Sequence, residues 1–107
     1  MGGNEYRLNV DTKAVIEYNL TEGLRNGLAT LIVLTYKTDG AYQIKQQSIH
    51  DYSDCGYRGA MIDLARGLPD FERLKEDIKR LSLAKCNRLH LHLMDRMGIC
   101  YISEILP

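Results

Sequence analysis

The stretch YRGAMIDLARGLPDFERLKEDIKRLSLAKCNRLHLHLMD, residues 57–95, decides the fold of this chain. It contains a short apolar run, AMIDL at 60–64, of the kind that forms a strand buried on both faces. The amphipathic stretch at 68–87 has apolar residues at helical spacing and predicts a helix. A second apolar run, RLHLHLMD at 88–95, predicts another strand. A strand, a helix and a strand of these lengths predict a parallel pair with a right-handed crossover.

Two polar residues follow these predicted strands. Arg66 comes after the first strand, and Asp95 ends the second. Functional groups in parallel α/β folds collect at the carboxyl ends of the strands. The rigid guanidinium fork of Arg66 suits two neighbouring hydroxyls of a sugar, and the alternative is a structural salt bridge to Asp63 or a contact with a loop carbonyl. Asp95 is equally compatible with a turn or helix-capping role when the residues are considered alone.

His90 and His92 form a His-x-His pair in the second strand. With Asp95 and Cys86 or Cys100 they could form a metal site, since imidazole, thiolate and carboxylate are zinc ligands. However, Asp95 has the opposite strand parity to both histidines, and leucines flank them. We therefore predict packed, hydrogen-bonded core histidines and no metal.

The first half of the chain predicts a smaller α/β unit. The segments 5–10 and 14–18 alternate in the manner of strands and predict a hairpin. A helix is predicted after them, with Thr21 as its cap and with leucines at helical spacing. Its two glycines, Gly23 and Gly27, indicate close packing against a sheet. A further strand is predicted at 41–49.

Composition is that of a globular protein without a strong electrostatic bias. Lys plus Arg and Asp plus Glu number 14 each, so the net charge is zero and no steering of nucleic acid or anionic membranes is expected. No apolar run reaches the roughly 18 residues of a membrane span, and no signal peptide is visible. Three cysteines without Cys-x-x-Cys spacing favour reduced thiols, and hence a cytoplasmic location.

The motifs YRGAMIDLAR and HLHLMD resemble the opening of the catalytic barrel in family 20 glycoside hydrolases, the β-N-acetylhexosaminidases. The resemblance implies an α/β fold in which residues 1–50 are the tail of an accessory α/β domain, with the order strand-strand-helix-strand. Residues 51–56 (DYSDCG) would be a linker, and residues 57–107 the first βαβ unit of a (β/α)₈ barrel. A whole barrel needs about 250 residues, so the chain is expected to be a fragment.

The resemblance also implies roles for individual residues. Arg66 would grip hydroxyls of the sugar at the cleaved end of the glycan. Asp95 would orient a histidine that contacts the catalytic acid, while Arg58 and Asp63 would be structural, Asp63 as a buried hydrogen-bond anchor. The family has histidines at the positions of His90 and His92 and uses no metal or other cofactor there.

Three departures from the family pattern stand out. The family follows the Asp95 position with a second acid and then Gly-Trp-Arg, whereas this chain has RMGIC at 96–100. Gly67 stands where the family has a histidine. The adjacent Asp-Glu pair that carries the family's substrate-assisted chemistry is absent, because no Asp-Glu dipeptide occurs in the sequence.

We therefore predict a fragment of a β-N-acetylhexosaminidase-like hydrolase that removes terminal N-acetylhexosamine from glycans, inactive as an isolated chain. The expected partners are a glycan containing N-acetylhexosamine and further copies of the fragment, with no nucleic acid and no membrane. The alternative is a small standalone α/β binding or assembly module without chemistry.

Overall fold

The computed structural model describes residues 2–67, 70–96 and 98–99. It consists of two compact units, one formed by Met1–Gly56 with Leu83–Lys85 and the other by Tyr57–Ser82 with Cys86–Pro107. The elements in chain order are β1 (Tyr6–Val10), β2 (Ala14–Tyr18), α1 (Thr21–Leu34), β3 (Tyr36–Thr38), β4 (Ala41–Gln43), β5 (Gln47–Asp51), β6 (Gly59–Asp63), α2 (Phe71–Leu83), β7 (Arg88–His92), β8 (Met94–Asp95) and β9 (Gly98–Ile99).

The first unit is built on an antiparallel sheet with the strand order β2-β1-β5. Its central strand alternates strictly, because every second residue of β1 is buried and the residues between are exposed. Tyr6 and Leu8 are fully buried, and Val10 completes the row. The partly buried residues packed against this row are Ile16, Leu31, Ile44 and Ile49. The predicted hairpin is confirmed, with Tyr6 opposite Tyr18 and Val10 opposite Ala14.

Helix α1 approaches this sheet closely at its two glycines. A Cβ atom on Gly27 would lie 2.7 Å from Cγ2 of Ile16, and one on Gly23 would collide with the carbonyl oxygen of Glu5. The predicted reason for these glycines is therefore confirmed. The cap prediction was wrong, because Thr21 is the first helical residue and Leu20 precedes it without a side-chain cap hydrogen bond.

The segment after α1 differs from the single strand predicted at 41–49. It forms a small hairpin of β3 and β4, in which Thr38 pairs with Ala41, followed by the separate strand β5. The turn uses Asp39 and Gly40, which have φ values of 52° and 83°. Positive φ at both central residues is the geometry of a type I′ hairpin turn, and Asp-Gly is its usual sequence. That dipeptide was the signal from which β3 could have been predicted.

The second unit contains the predicted parallel βαβ arrangement. Strands β6 and β7 pair in parallel with Gly59 opposite Arg88 and Asp63 opposite His92, and α2 lies between them in sequence. Two hydrogen bonds between Arg58 and Asn87 stabilise the start of the pair. The Arg58 N–H donates to Asn87 Oδ1 at 3.0 Å, and the Asn87 N–H donates to the Arg58 carbonyl at 2.8 Å. The polar face predicted for α2 is confirmed by ion pairs such as Lys79–Glu76 at 2.6 Å.

The end of the second strand differs from the prediction. Strand β7 stops at His92, and after Leu93 the chain forms β8, which pairs antiparallel with β9 so that Asp95 lies opposite Gly98. The predicted continuous strand at 88–95 is therefore wrong. Across the described residues, neither helix is long and apolar enough to span a bilayer.

A polar cluster lies at the buried Tyr6 of the first unit. The Tyr6 hydroxyl donates to Asp51 Oδ2 at 2.9 Å and lies 2.6 Å from Thr30 Oγ1. Lys85 donates both to Asp51 Oδ2 at 2.6 Å and to the Tyr6 oxygen at 3.0 Å. Its ammonium also lies 5.2 Å from the centroid of the Tyr6 ring, within cation–π range. Lys85, 79 positions after Tyr6 in the chain, thus supplies the positive charge of this cluster.

The cluster favours the charged form of both ionisable partners. Burial alone would raise the pKa of the Asp51 carboxyl, but hydrogen bonds from Lys85 and Tyr6 outweigh burial and hold this pKa below its usual value. Burial alone would lower the pKa of Lys85, but the hydrogen bonds to Asp51 and Tyr6 raise it above its usual value. Each charge therefore stabilises the folded state where both groups are ionised.

We expect Lys85→Met to lower the free energy of unfolding by about 1 kcal/mol at pH 7. Hydrogen bonds to charged groups contribute more than this when buried, and partial exposure reduces their value. Because the folded pKa of Asp51 is lowered, its contribution is complete above its unfolded pKa and is lost as the pH falls through the folded value. The free energy of unfolding, measured by urea denaturation, should therefore be lower for Lys85→Met than for the unsubstituted chain at pH 7. This difference should shrink below about pH 4.

The matched control is Lys45→Met, which removes an exposed lysine of the same unit. It should leave the urea midpoint nearly unchanged at both pH values. Equal effects of the two substitutions at pH 7 would contradict a specific role for the Lys85 charge.

Candidate functional site at the carboxyl ends of two strands

The carboxyl ends of β6 and β7 lie at the same edge of their sheet. Their last residues, Asp63 and His92, are register partners in the parallel pair. One further backbone hydrogen bond, from the Leu64 N–H to the His92 carbonyl at 2.9 Å, extends the pairing past this point. Arg66 and Asp95 each follow three residues after these strand ends. Arg66 and Asp95 therefore both come shortly after the carboxyl ends of two neighbouring strands, and these ends lie at the same edge of the sheet.

Asp63 organises the turn that carries Arg66. Its Oδ1 accepts the Ala65 N–H at 3.0 Å, and its Oδ2 lies 3.4 Å from Nε of Arg66. The salt bridge named as the alternative role of Arg66 is thus present. However, 77% of the Arg66 side chain is exposed, and a contact through Nε uses the inner nitrogen of the fork. The two terminal nitrogens remain suited to bidentate binding of an oxygen-rich ligand.

The turn continues into Gly67, whose φ is +156°. Side chains with a Cβ atom rarely adopt this conformation, whereas glycine does so readily. The histidine that the family resemblance places here would be strained in this backbone. The departure at Gly67 therefore falls at a position whose backbone conformation favours glycine.

Asp95 lies close to the histidine that ends β7. Oδ2 of Asp95 is 3.9 Å from Nε2 of His92, and 21% of the Asp95 side chain is exposed. The parity argument that separated Asp95 from His92 fails because the strand stops at His92. Leu93 separates β7 from β8, so alternation along a single strand no longer decides which side chains meet.

The two histidines are less buried than predicted. His90 is exposed and His92 is partly exposed, with 39% of its side chain accessible. Core histidines need a covering layer, and the described part of the second unit leaves Met61, Leu89 and Leu91 of the same two strands exposed as well. The prediction of buried core histidines is therefore wrong for the described residues.

The alternative of a metal site also depended on these histidines. Within residues 2–67, 70–96 and 98–99, no three side chains of His, Cys, Asp or Glu are grouped so that they could hold a metal ion. Cys100 lies outside the described residues. The absence of a metal or other cofactor stays a prediction from the sequence.

Sequence reasoning did not find the pairing of His92 with Asp95. A signal for it was present, since D-x-x-R at 63–66 and H-x-x-D at 92–95 have the same spacing. Asp63 was named in the sequence only as a buried anchor and as the alternative partner of Arg66. In the structure it is partly exposed, and it contacts both the turn and Arg66.

Comparison with known proteins gives the class to which this arrangement belongs. The sequence profile of the "Glycosyl hydrolase family 20, catalytic domain" matches residues 55–107. The chain is 34% identical over 105 residues to the probable beta-hexosaminidase fdl of Drosophila melanogaster, a match that covers 95% of this chain and 15% of the relative. It is 36% identical over 98 residues to beta-hexosaminidase 1 of Arabidopsis thaliana, covering 88% of this chain and 18% of the relative.

Solved structures agree with these relatives. An inactive mutant of the GH20 exo beta-N-acetylglucosaminidase from Vibrio harveyi superposes with a TM-score of 0.87 at 30% identity, over 92% of this chain and 16% of that protein. The GH20 beta-N-acetylhexosaminidase from Streptomyces coelicolor A3(2) gives a TM-score of 0.77 at 29% identity, over 88% of this chain and 21% of that protein.

The fold is therefore the α/β fold of these hydrolases. The chain belongs to glycosyl hydrolase family 20, and it spans between 15% and 19% of the length of the curated relatives it matches.

Proposed function

We propose that this chain is the part of a β-N-acetylhexosaminidase that connects an accessory α/β domain with the first βαβ unit of the catalytic barrel. The observation that carries the proposal is the parallel pair β6–β7, whose carboxyl ends lead directly to Arg66 and Asp95. Parallel barrels bind substrate at this end of their strands. The whole enzyme would remove terminal N-acetylhexosamine from glycans.

In this proposal Arg66 binds the substrate. Vicinal sugar hydroxyls lie close together, and the planar guanidinium can donate to two of them at once. The contact of Nε with Asp63 holds the fork at its base, and the high exposure of Arg66 leaves its outer edge accessible to a ligand. The chemistry of the pair thus favours a neutral, hydroxyl-rich ligand over an apolar one.

Asp95 would act on the catalytic machinery through another residue. A partly buried carboxylate at the end of a barrel strand can accept a hydrogen bond from a neighbouring imidazole and fix its tautomer and orientation. Asp95 already lies near an imidazole, that of His92, in this chain. Its proposed partner in the whole enzyme is a histidine that contacts the catalytic acid.

The isolated chain should not hydrolyse an aryl β-N-acetylglucosaminide. It has no Asp-Glu dipeptide, so the proton donor and the carboxylate that orients the acetamido group are both missing. Loss of such groups removes most of the rate enhancement of an enzyme. Release of the aryl alcohol should equal that in buffer, and turnover that disappears in Arg66→Ala would contradict the proposal.

A chimera tests the proposed role of Arg66 directly. Residues 57–95 would replace the matching segment of the Streptomyces coelicolor enzyme, and hydrolysis of the same aryl substrate would be measured. In an active chimera, Arg66→Ala should lower kcat/KM by roughly 10- to 100-fold, as expected for loss of a hydrogen-bonded charged donor.

The control for this chimera is Arg73→Ala, which removes an exposed arginine that pairs with Asp77 on α2. It should leave kcat/KM unchanged, and thermal denaturation should show that both variants remain folded. Equal losses from Arg66→Ala and Arg73→Ala would contradict a role for Arg66 in substrate binding.

Self-association is the second property that we propose for the isolated chain. Among the described residues β6 and β7 pair only with each other, so each has an open edge. Apolar side chains on them are accessible, including Met61 with 58% exposure. Open edges and exposed apolar surface favour pairing between copies.

Sedimentation should therefore give a dimer or a larger species at tens of micromolar. Met61→Lys should shift the distribution toward monomer, because a charge on this strand opposes burial between copies. A clean monomer for the unsubstituted chain would contradict the proposal and would favour the alternative of a standalone binding module. A cytoplasmic location remains a prediction that rests on the cysteines alone.

A further inference from the structure

We infer that Asp63 and His92 are a matched pair of positioning residues, each of which holds the candidate site residue three positions further along its own strand end. The inference deepens the proposed function, because it concerns how Arg66 and Asp95 are oriented before a sugar arrives. It rests on contacts within the second unit and on the register of β6 and β7.

The first half of the pair is the Asp63 carboxylate. One of its oxygens accepts the Ala65 N–H at 3.0 Å, which fixes the turn two residues on. The other oxygen lies 3.4 Å from Arg66 Nε. A single carboxylate therefore defines both the backbone from which Arg66 projects and the base of its guanidinium. Aspartate is suited to this task because its short side chain can bond the backbone two residues later.

The second half is the His92 imidazole. Its Nε2 lies 3.9 Å from Asp95 Oδ2. The chain can bring these residues together because β7 ends at His92 and Asp95 lies in the short β8–β9 hairpin that follows. The hairpin pairing of Asp95 with Gly98 holds the backbone, while His92 stands beside the carboxylate.

The two halves are placed side by side by the sheet. Asp63 and His92 are register partners, so both positioning groups leave the sheet at the same level. The order of the charged groups is reversed between the strands. On β6 the carboxylate of Asp63 comes first and lies near the guanidinium of Arg66, whereas on β7 the imidazole of His92 comes first and lies near the carboxylate of Asp95. The same i to i+3 spacing therefore positions a hydrogen-bond donor, Arg66, and an acceptor, Asp95, after the same edge of the sheet.

The physical value of such a pair is orientation. An ion pair as exposed as that of Arg66 contributes little to the stability of the fold. A long arginine side chain that is already held at Nε loses less conformational freedom when its outer nitrogens bind a ligand. The expected consequence is order in the Arg66 side chain of the sugar-free protein.

The test for Asp63 is the ¹⁵N relaxation of arginine Nε–H groups in the full chain without sugar. Asp63→Asn keeps an oxygen that can accept the Ala65 N–H, so the turn should persist while the charge is removed. The Arg66 signal should become as mobile as that of an unrestrained side chain, whereas Arg73 should be unaffected. The reverse result is expected from Asp77→Asn, because Arg73 Nε lies 3.2 Å from the Asp77 carboxylate.

The test for His92 uses the side-chain ¹³C carboxyl signal of Asp95. His92→Gln should move this signal, while His90→Gln, on the same strand two residues earlier, should leave it in place. Backbone amide shifts of β6 and β7 would verify that the sheet is intact in each variant. Unchanged mobility of Arg66 in Asp63→Asn, or equal movement of the Asp95 signal in both histidine variants, would overturn the inference.

The positioning role and the proposed function can be contradicted separately by these measurements. Loss of Arg66 order in Asp63→Asn supports the positioning role even if the active chimera tolerates Arg66→Ala, an outcome that would remove the sugar-binding proposal alone. Conversely, an Arg66 that is essential in the chimera yet equally ordered with and without the Asp63 charge would remove only the positioning role.

Discussion

The parallel pairing of β6 with β7 is the constraint on which the candidate site depends. Reciprocal hydrogen bonds between Arg58 and Asn87 fix where the pair begins, and the bond from Leu64 to His92 extends it beyond the last paired residues. This register determines that Asp63 and His92, the last residues of the two strands, lie opposite each other. A slip by one residue would reverse the faces of every side chain on one strand, and Asp63 would no longer be level with His92.

The site is a chain of local contacts built on that register. At each strand end a side chain lies near the candidate residue three positions later: Asp63 Oδ2 is 3.4 Å from Arg66 Nε, and His92 Nε2 is 3.9 Å from Asp95 Oδ2. Neither contact contributes much to stability, since the side chains involved are partly or largely exposed. In the proposed function their importance lies in direction, because an arginine that binds a sugar must present its donors at a defined angle.

The first unit depends on a different kind of interaction. Its central row of Tyr6, Leu8 and Val10 is apolar, yet the hydroxyl of the fully buried Tyr6 needs partners. Thr30, Asp51 and Lys85 meet this need from three separate parts of the chain. The unit thus includes Leu83–Lys85, a segment that begins with the last residue of α2. A boundary drawn at residues 51–56 from composition alone does not include it.

The sequence by itself determined the elements whose causes are local. Alternation specified β1 and β2, leucine spacing and close-packed glycines specified α1, and two apolar runs around an amphipathic stretch specified the parallel βαβ unit. Arg66 and Asp95 likewise stand out from their positions in the motifs alone. Only the tertiary structure decided where β7 stops, that His92 approaches Asp95, how exposed His90 is, and that Lys85 reaches Tyr6. These features depend on contacts between residues that sequence periodicity treats as independent, so a pattern confined to one segment cannot specify them.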